Sequence, residues 1–174
     1  MSFPFPVPDN SDPRWTREGG VHVRRGEGIA RRLAGDTCTI TATADDTNGA
    51  LGFAKAVVPP GGGAIPHAHG REEEAFYVLS GDFDVVNGDE IVKAGPGDLL
   101  FVPRDDRHGF TNTGDLPGRL LTFIMPGGHE GFWLDNGIDP EPGKAAPPLT
   151  PEDLVALTAV LARHQVTIML DRES

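Results

Sequence analysis

Three histidines and one glutamate stand at spacings that a divalent metal site requires. His67 and His69 are two residues apart, and in an extended strand this spacing points both imidazoles to the same face. Glu74 follows His69 by five residues, an odd offset that needs a turn or a bulge, and Gly70 is placed to allow one. His108 follows a polar turn and begins another short extended segment. The four side chains are therefore candidate ligands of one ion.

Two sequence patterns enclose these residues. The first is G-x5-H-x-H-x4-E-x6-G, which runs from Gly61 to Gly81, and the second is G-x5-P-x-D-x2-H-x3-N, which runs from Gly97 to Asn112. Together they resemble the two motifs of the cupin superfamily, with one departure at Asp105, where the family usually has glycine. The resemblance implies an all-β fold, a small antiparallel β-barrel of the jelly-roll or double-stranded β-helix type. It also implies four metal ligands, which are His67, His69, Glu74 and His108.

Other acidic residues and histidines compete for these roles. Glu73 satisfies a shortened version of the spacing, but Glu74 lies seven residues before Gly81 and opens an apolar strand. Glu72 and Glu73 are therefore predicted to be solvated charges of a turn. A single histidine on a strand is more often a hydrogen-bonded structural residue than a ligand. This interpretation applies to His22, His129 and His164.

The composition limits the partners and the compartment. With 174 residues and 38% hydrophobic content, the chain is long enough for one domain with a core and too short to predict two. Its net charge of −11 disfavours nucleic acid and anionic membranes as partners. Because no apolar run has bilayer-spanning length, we expect neither a membrane span nor a leader. Cys38 has no second cysteine to pair with, so we expect an inert, half-buried thiol in a cytoplasmic protein.

Alternating and β-branched runs recur along the chain and predict strands at residues 21–24, 28–33, 37–43, 51–58, 75–79, 82–86, 90–94, 97–103, 108–112 and 120–125. Asn87-Gly88 is the strongest short hairpin signal among them. Strands at this interval, with turns between them, predict an antiparallel barrel over residues 21–130.

The two ends of the single predicted domain differ from its centre. Four prolines before residue 14 predict an extended arm over residues 1–20. In the tail, residues 131–174, Thr150 and Pro151 begin a helix that we expect to end near residue 164. Phe132 and Trp133 form an apolar pair that anchors the tail or caps the mouth of the barrel.

The candidate ligands suggest both a cofactor and a catalytic group. The donor types suit one divalent ion per chain, which could be Fe, Ni, Mn, Co, Cu or Zn. Glu74 has a second predicted role as a general base that takes a proton from a bound hydroxyl. Strand parity puts Phe76 and Val78 on the face of Glu74, and Phe110 on the face of His108. These three side chains predict a pocket for a flat apolar or aromatic substrate.

The resemblance to small single-barrel cupins of the quercetinase-like kind implies a dioxygenase. In that reaction an enolic or phenolic substrate chelates the metal, Glu74 deprotonates it, and dioxygen attacks the activated carbon. Non-redox chemistry on a biosynthetic intermediate, as a cyclase, isomerase or decarboxylase, stays open as an alternative. A small-molecule binding role is a third possibility. We also expect a homodimer, since small barrels of this resemblance are commonly dimers and a partner covers exposed edge strands.

Overall fold

The structure is a computed structural model that describes residue 11 and residues 19–141, 144, 147 and 150–170. The predicted N-terminal arm lies almost entirely outside the described residues. The elements within them are β1 (Ile29–Leu33), β2 (Asp36–Ala42), β3 (Gly52–Val58), β4 (Gly63–His69), β5 (Glu73–Ser80), β6 (Phe83–Asn87), β7 (Glu90–Ala94), β8 (Leu99–Val102), β9 (His108–Asn112), β10 (Gly118–Met125), α1 (Glu130–Asn136), α2 (Pro151–Arg163) and β11 (Val166–Ile168).

The strands form two antiparallel sheets. One has the order β1-β2-β3-β10-β5-β8 and the other has the order β11-β4-β9-β6-β7. Inward and outward residues alternate along each strand, as in β10, where Gly118, Leu120, Thr122 and Ile124 are buried and the residues between them are more exposed. The inward side chains of both sheets form one core that includes Ile40, Val58, Phe83 and Val102. The predicted all-β cupin barrel is therefore confirmed.

Most of the predicted strands are present, with bounds that differ by one or two residues. The hairpin between β6 and β7 turns at Gly88, whose φ of +63° is the left-handed conformation that this tight turn requires. The segment from Val21 to Arg24 forms no strand, so that prediction is wrong. A turn begins at Arg24 instead, in which the N–H of Glu27 donates to the carbonyl of Arg24 at 3.0 Å, and the segment pairs with no strand of the described chain.

The predicted C-terminal helix is confirmed as α2. Thr150 caps it, because its hydroxyl accepts from the backbone N–H of Asp153 while the Asp153 carboxylate accepts from the backbone N–H of Thr150. Leu157 and Leu161 pack against Phe132, so the apolar face of α2 covers α1. Neither helix in the described part of the chain has the length and apolar content needed to cross a bilayer.

The tail also contains two elements that the sequence patterns did not predict. The apolar residues after His129 form the short helix α1 rather than an irregular cluster. After α2 the chain returns as β11, which pairs antiparallel with β4 through the positions Val166↔His69 and Ile168↔His67. The tail therefore extends the sheet that carries two of the candidate ligands.

Candidate metal centre

The structure brings the four predicted ligands together. One donor atom from each of His67, His69, Glu74 and His108 lies within 4.8 Å of the others. The Nε2 atoms of His67 and His69 are 3.1 Å apart, and the Oε2 atom of Glu74 lies 3.3 Å from Nε2 of His69 and 3.1 Å from Nε2 of His108. The ligands come from β4, β5 and β9, and the sheet register places His67 opposite His108.

Two of the three imidazoles are held from behind by backbone carbonyls. Nδ1 of His67 donates to the carbonyl of Ile65 at 2.7 Å, and Nδ1 of His108 donates to the carbonyl of Asp106 at 2.9 Å. A proton fixed on Nδ1 leaves the lone pair of Nε2 directed at the centre of the cluster. Both rings are therefore oriented and in the tautomer that metal binding needs.

His69 lacks such a carbonyl partner. Its Nδ1 atom is buried without a hydrogen bond among the described residues, and Oε2 of Glu72 lies 3.9 Å away. The same Oε2 atom is also buried and unpaired, while Oε1 of Glu72 accepts from Arg71 at 3.2 Å. Metal-binding histidines usually donate their second N–H to a carboxylate or a carbonyl. Glu72 is thus placed to orient His69.

The prediction that Glu72 is a solvated turn charge is wrong, since its exposure is only 3%. Burial raises the pKa of Glu72. Glu73 is half-buried and lies 3.5 Å from Arg104. The difference follows from parity, because Glu72 and Glu74 are two residues apart and both turn inward.

Asp105 replaces the glycine of the motif without removing its turn. Its φ is +67°, a left-handed conformation that glycine usually supplies and that aspartate adopts more readily than most residues. The backbone N–H of Asp105 donates to the carbonyl of His69 at 2.8 Å. The loop before His108 is therefore hydrogen-bonded directly to the strand that carries the other two imidazoles.

The electrostatics of the cluster suit a cation. Burial alone would raise the pKa of Glu74, but the close approach of the His108 and His69 imidazoles holds that pKa well below its usual value. Burial, together with the neighbouring imidazoles of His108 and His69, lowers the pKa of His67 to about 4. An ionised carboxylate and neutral imidazoles are the forms that bind metal. Three imidazole nitrogens and one carboxylate oxygen fit a first-row divalent ion, so the cluster could hold one.

A cavity of about 540 Å³ opens beside the cluster and is lined by His67 and Glu74. Phe76 and Phe110 also line it, and their rings meet edge to face at a centroid distance of 5.3 Å. Val78 lines a different cavity, of about 270 Å³. At about 3.3 Å per residue, Val78 lies roughly 13 Å along β5 from Glu74, which places it towards the other end of the barrel.

His129 also belongs to this region, although the sequence suggested only a structural role. It is buried, its Nδ1 atom has no hydrogen bond among the described residues, and its ring lies 4.4 Å from that of His69. The residue immediately precedes α1 and lines the cavity together with Phe132 and Trp133. Burial lowers the pKa of His129 well below its usual value, so the ring is neutral. No spacing pattern links His129 to the motifs, which is why sequence analysis missed it.

The barrel and its cluster of three imidazoles and one carboxylate define a small metal-binding cupin. A family model for the cupin domain matches residues 54–124. Protein SchB of Streptomyces halstedii is 39% identical over 98 residues, which cover 55% of this chain and 70% of that protein. The chain belongs to the cupin superfamily.

Two further similarities concern a polyketide synthase protein and a solved structure. Polyketide synthase CurC of Streptomyces cyaneus is 32% identical over 98 residues, which cover 55% of this chain and 62% of that protein. The crystal structure of a predicted oxalate decarboxylase from Thermotoga maritima superposes with a TM-score of 0.57 at 24% identity, over 61% of this chain and 99% of that chain. At 24% identity, the similarity to this solved structure shows a shared fold alone.

Proposed function

We propose that this protein is a metal-dependent enzyme that acts on a small phenolic or enolic aromatic, and that its reaction is a dioxygenation. The observation that carries the proposal is the convergence of four candidate metal ligands, two of which, His67 and Glu74, line a mostly apolar cavity. Four protein donors leave open positions on a five- or six-coordinate ion. A divalent ion in this place would bind a substrate oxygen and make its hydroxyl more acidic.

Glu74 is the proposed general base. Its carboxylate lines the cavity and is ionised at neutral pH, so it can accept the proton of a substrate hydroxyl. Phe76 and Phe110 offer ring faces and edges on which a flat substrate can pack. Phe132 and Trp133 of α1 line the same cavity and help to exclude water from it.

Metal content and oxygen uptake test this function. The protein is purified without chelators and without a metal-binding tag, and elemental mass spectrometry should find about one ion per chain. The protein loaded with iron, nickel or manganese is then mixed with 3-hydroxyflavone in an oxygen electrode. We expect oxygen uptake that Glu74→Gln reduces strongly. Equal turnover in the absence of oxygen would refute the dioxygenase.

A non-redox reaction, such as cyclisation, isomerisation or decarboxylation of a biosynthetic intermediate, is the second candidate. The similarity to CurC, which is named as a polyketide synthase protein, favours it. The same residues would act, with Glu74 moving a proton and the apolar walls holding the ring system. Product that forms anaerobically at an unchanged oxidation level would support this reaction, and obligatory oxygen incorporation would exclude it.

We further propose that the protein is a homodimer. The outer face of β5 and β8 carries four exposed apolar side chains, Tyr77, Leu79, Leu99 and Phe101. The register aligns Tyr77 with Leu99, and β8 is the edge of its sheet, so the side chains form one continuous apolar surface. A second copy of the same face would cover both the surface and the edge.

A further inference from the structure

The cavity beside the metal centre contains few groups that could bind a charged substrate. Its ionisable lining residues are Asp36, Cys38, His67, Glu74 and His129, and no lysine or arginine of the described chain lines it. A substrate anion would therefore meet two carboxyl groups and no cationic side chain. Away from the metal donors, the lining favours a neutral molecule.

Asp36 is the one carboxyl group of this lining that the metal centre does not use. It lies on the inward face of β2 with Cys38 and Ile40, and its exposure is only 8%. Its Oδ1 atom is buried and accepts no hydrogen bond within the described residues. Burial raises the pKa of Asp36 to about 7, so the protonated and ionised forms coexist near neutral pH. A buried carboxyl oxygen without a partner is costly, and a polar group of a ligand would satisfy it.

The sheet order separates Asp36 from the metal donors. Strands β3 and β10 lie between β2 and β5, which carries Glu74. Three strand spacings of about 4.8 Å give roughly 14 Å across the sheet. The register adds a displacement along the strands of at least five residues, roughly 16 Å, because Asp36 lies next to the pairing partner of Val57 whereas Glu74 aligns through β10 with Gly52. Both residues line the same cavity, so a molecule that reaches both places is at least as long as a linear tricyclic aromatic. Small dicarboxylates would reach only the metal donors.

We propose that Asp36 binds a hydroxyl group at the far end of a neutral, hydroxylated polycyclic aromatic whose other end reaches the metal donors. The inference rests on the proposed function, which accounts for substrate binding at the metal donors. It adds Asp36 as a second residue that binds the substrate. Asp36 accepts the hydroxyl proton when it is ionised, and it can donate to the same oxygen when it is protonated. Phe76, Phe110 and Trp133 line the cavity and pack against the rings between the two ends.

Three matched anthraquinones test whether Asp36 binds a hydroxyl group at the far end of the ligand. The protein is loaded with Zn²⁺, and binding is followed by the visible absorption of the probe. The first probe, 1-hydroxyanthraquinone, carries only the metal-chelating hydroxyl and ketone. The second and third, the 1,6- and 1,7-dihydroxy compounds, add a hydroxyl on the far ring. We expect at least one dihydroxy probe to bind the wild-type protein about ten-fold more tightly than the first probe.

Variants show whether Asp36 is the residue responsible for the tighter binding of the dihydroxy probe. Asp36→Leu should abolish it, Asp36→Asn should keep part of it because the amide oxygen still accepts, and the exposed control Asp45→Asn should leave it unchanged. Circular dichroism of each variant checks that the barrel is folded. Equal binding of all three probes to the wild-type protein, or an advantage that survives in Asp36→Leu, would overturn the proposal. So would tighter binding of an analogue with a carboxylate in place of the far hydroxyl.

Failure of the metal-dependent function is a separate result. A protein that takes up no zinc would refute that function. The same probe comparison on the metal-free protein would still decide whether Asp36 recognises the far hydroxyl.

Discussion

Replacing Asp36 with asparagine should stabilise the protein, and the gain should grow as the pH rises. Burial raises the pKa of Asp36 from 3.8 to about 7 in the folded protein. The unfolded chain therefore releases this proton at a lower pH than the folded protein does. Between the two pKa values the folded protein binds more protons, so the wild-type protein loses stability with rising pH over this interval. Asparagine does not ionise, so the variant avoids the free-energy cost of a buried charge at this position.

The magnitude follows from the two pKa values. Each factor of ten between them is worth about 1.36 kcal/mol, so ionised Asp36 destabilises the fold by about 4 kcal/mol above pH 7. At pH 4.5 the penalty is only about 1 kcal/mol, because this pH lies less than one pH unit above the unfolded pKa of 3.8. The stability gain of Asp36→Asn should thus increase by about 3 kcal/mol between pH 4.5 and pH 8.

Urea unfolding of the metal-free protein, followed by circular dichroism at pH 4.5, 6 and 8, measures this difference. A chelator in every sample keeps metal binding from adding its own pH dependence. Asp45→Asn, a change at an exposed position, controls for the loss of one carboxyl group. A gain that stays constant over this pH range, or a loss of stability at pH 8, would refute the reasoning. Either result would mean that the carboxyl group of Asp36 is well solvated or paired.

Four further substitutions and one control test the metal centre and the assembly. His67→Ala and His69→Ala should each remove most of the metal, measured by elemental mass spectrometry, with little loss of β structure because the core of the barrel supplies its stability. Glu72→Gln should weaken Zn²⁺ binding about ten-fold in chelator competition, since a carboxylate orients His69 better than an amide does. Glu73→Gln is its matched control and should change little. Leu99→Asp should convert a dimer to a monomer in sedimentation velocity, because it charges the proposed interface.

Each of these results has a clear opposite. Unchanged metal content in both histidine variants would show that the cluster is not the metal site. If Glu72→Gln and Glu73→Gln weakened zinc binding equally, Glu72 would have no special relation to His69. If the wild-type protein sedimented as a monomer at high concentration, the proposed homodimer would be refuted.

The clustering of the four candidate ligands could be predicted because their arrangement depends on local rules. The spacing of His67 and His69 follows from the two-residue period of a strand, and Glu74 was distinguished from its neighbours by the apolar strand that it opens. The same period applied to Glu72 would have predicted its burial. The burial of Glu72 was not predicted because a run of three charged acidic residues shortly after Gly70 is typical of an exposed turn.

The parts that escaped prediction depend on tertiary contacts. The helix α1 has seven residues, and His129 at its start makes no side-chain capping hydrogen bond, so no local signal marks it. The strand β11 has three residues and exists because β4 offers an unpaired edge. Asp36 looks like a turn residue after Gly35, and its burial becomes evident only when both sheets enclose the cavity. The secondary-structure propensities of the residues carry no information about these tertiary contacts.

The pairing of β11 with β4 connects the end of the chain to the metal centre. The backbone N–H of Met169 donates to the carbonyl of Pro66, and the N–H of Gly70 donates to the carbonyl of Gln165, so backbone hydrogen bonds from the tail hold both ends of the segment that carries His67 and His69. A ligand that binds only the folded form raises the free energy of every opening that disrupts its site. Metal binding should therefore slow amide exchange at Met169 and protect the tail from proteases. Removal of β11, in turn, would loosen the strand that presents two of the imidazoles.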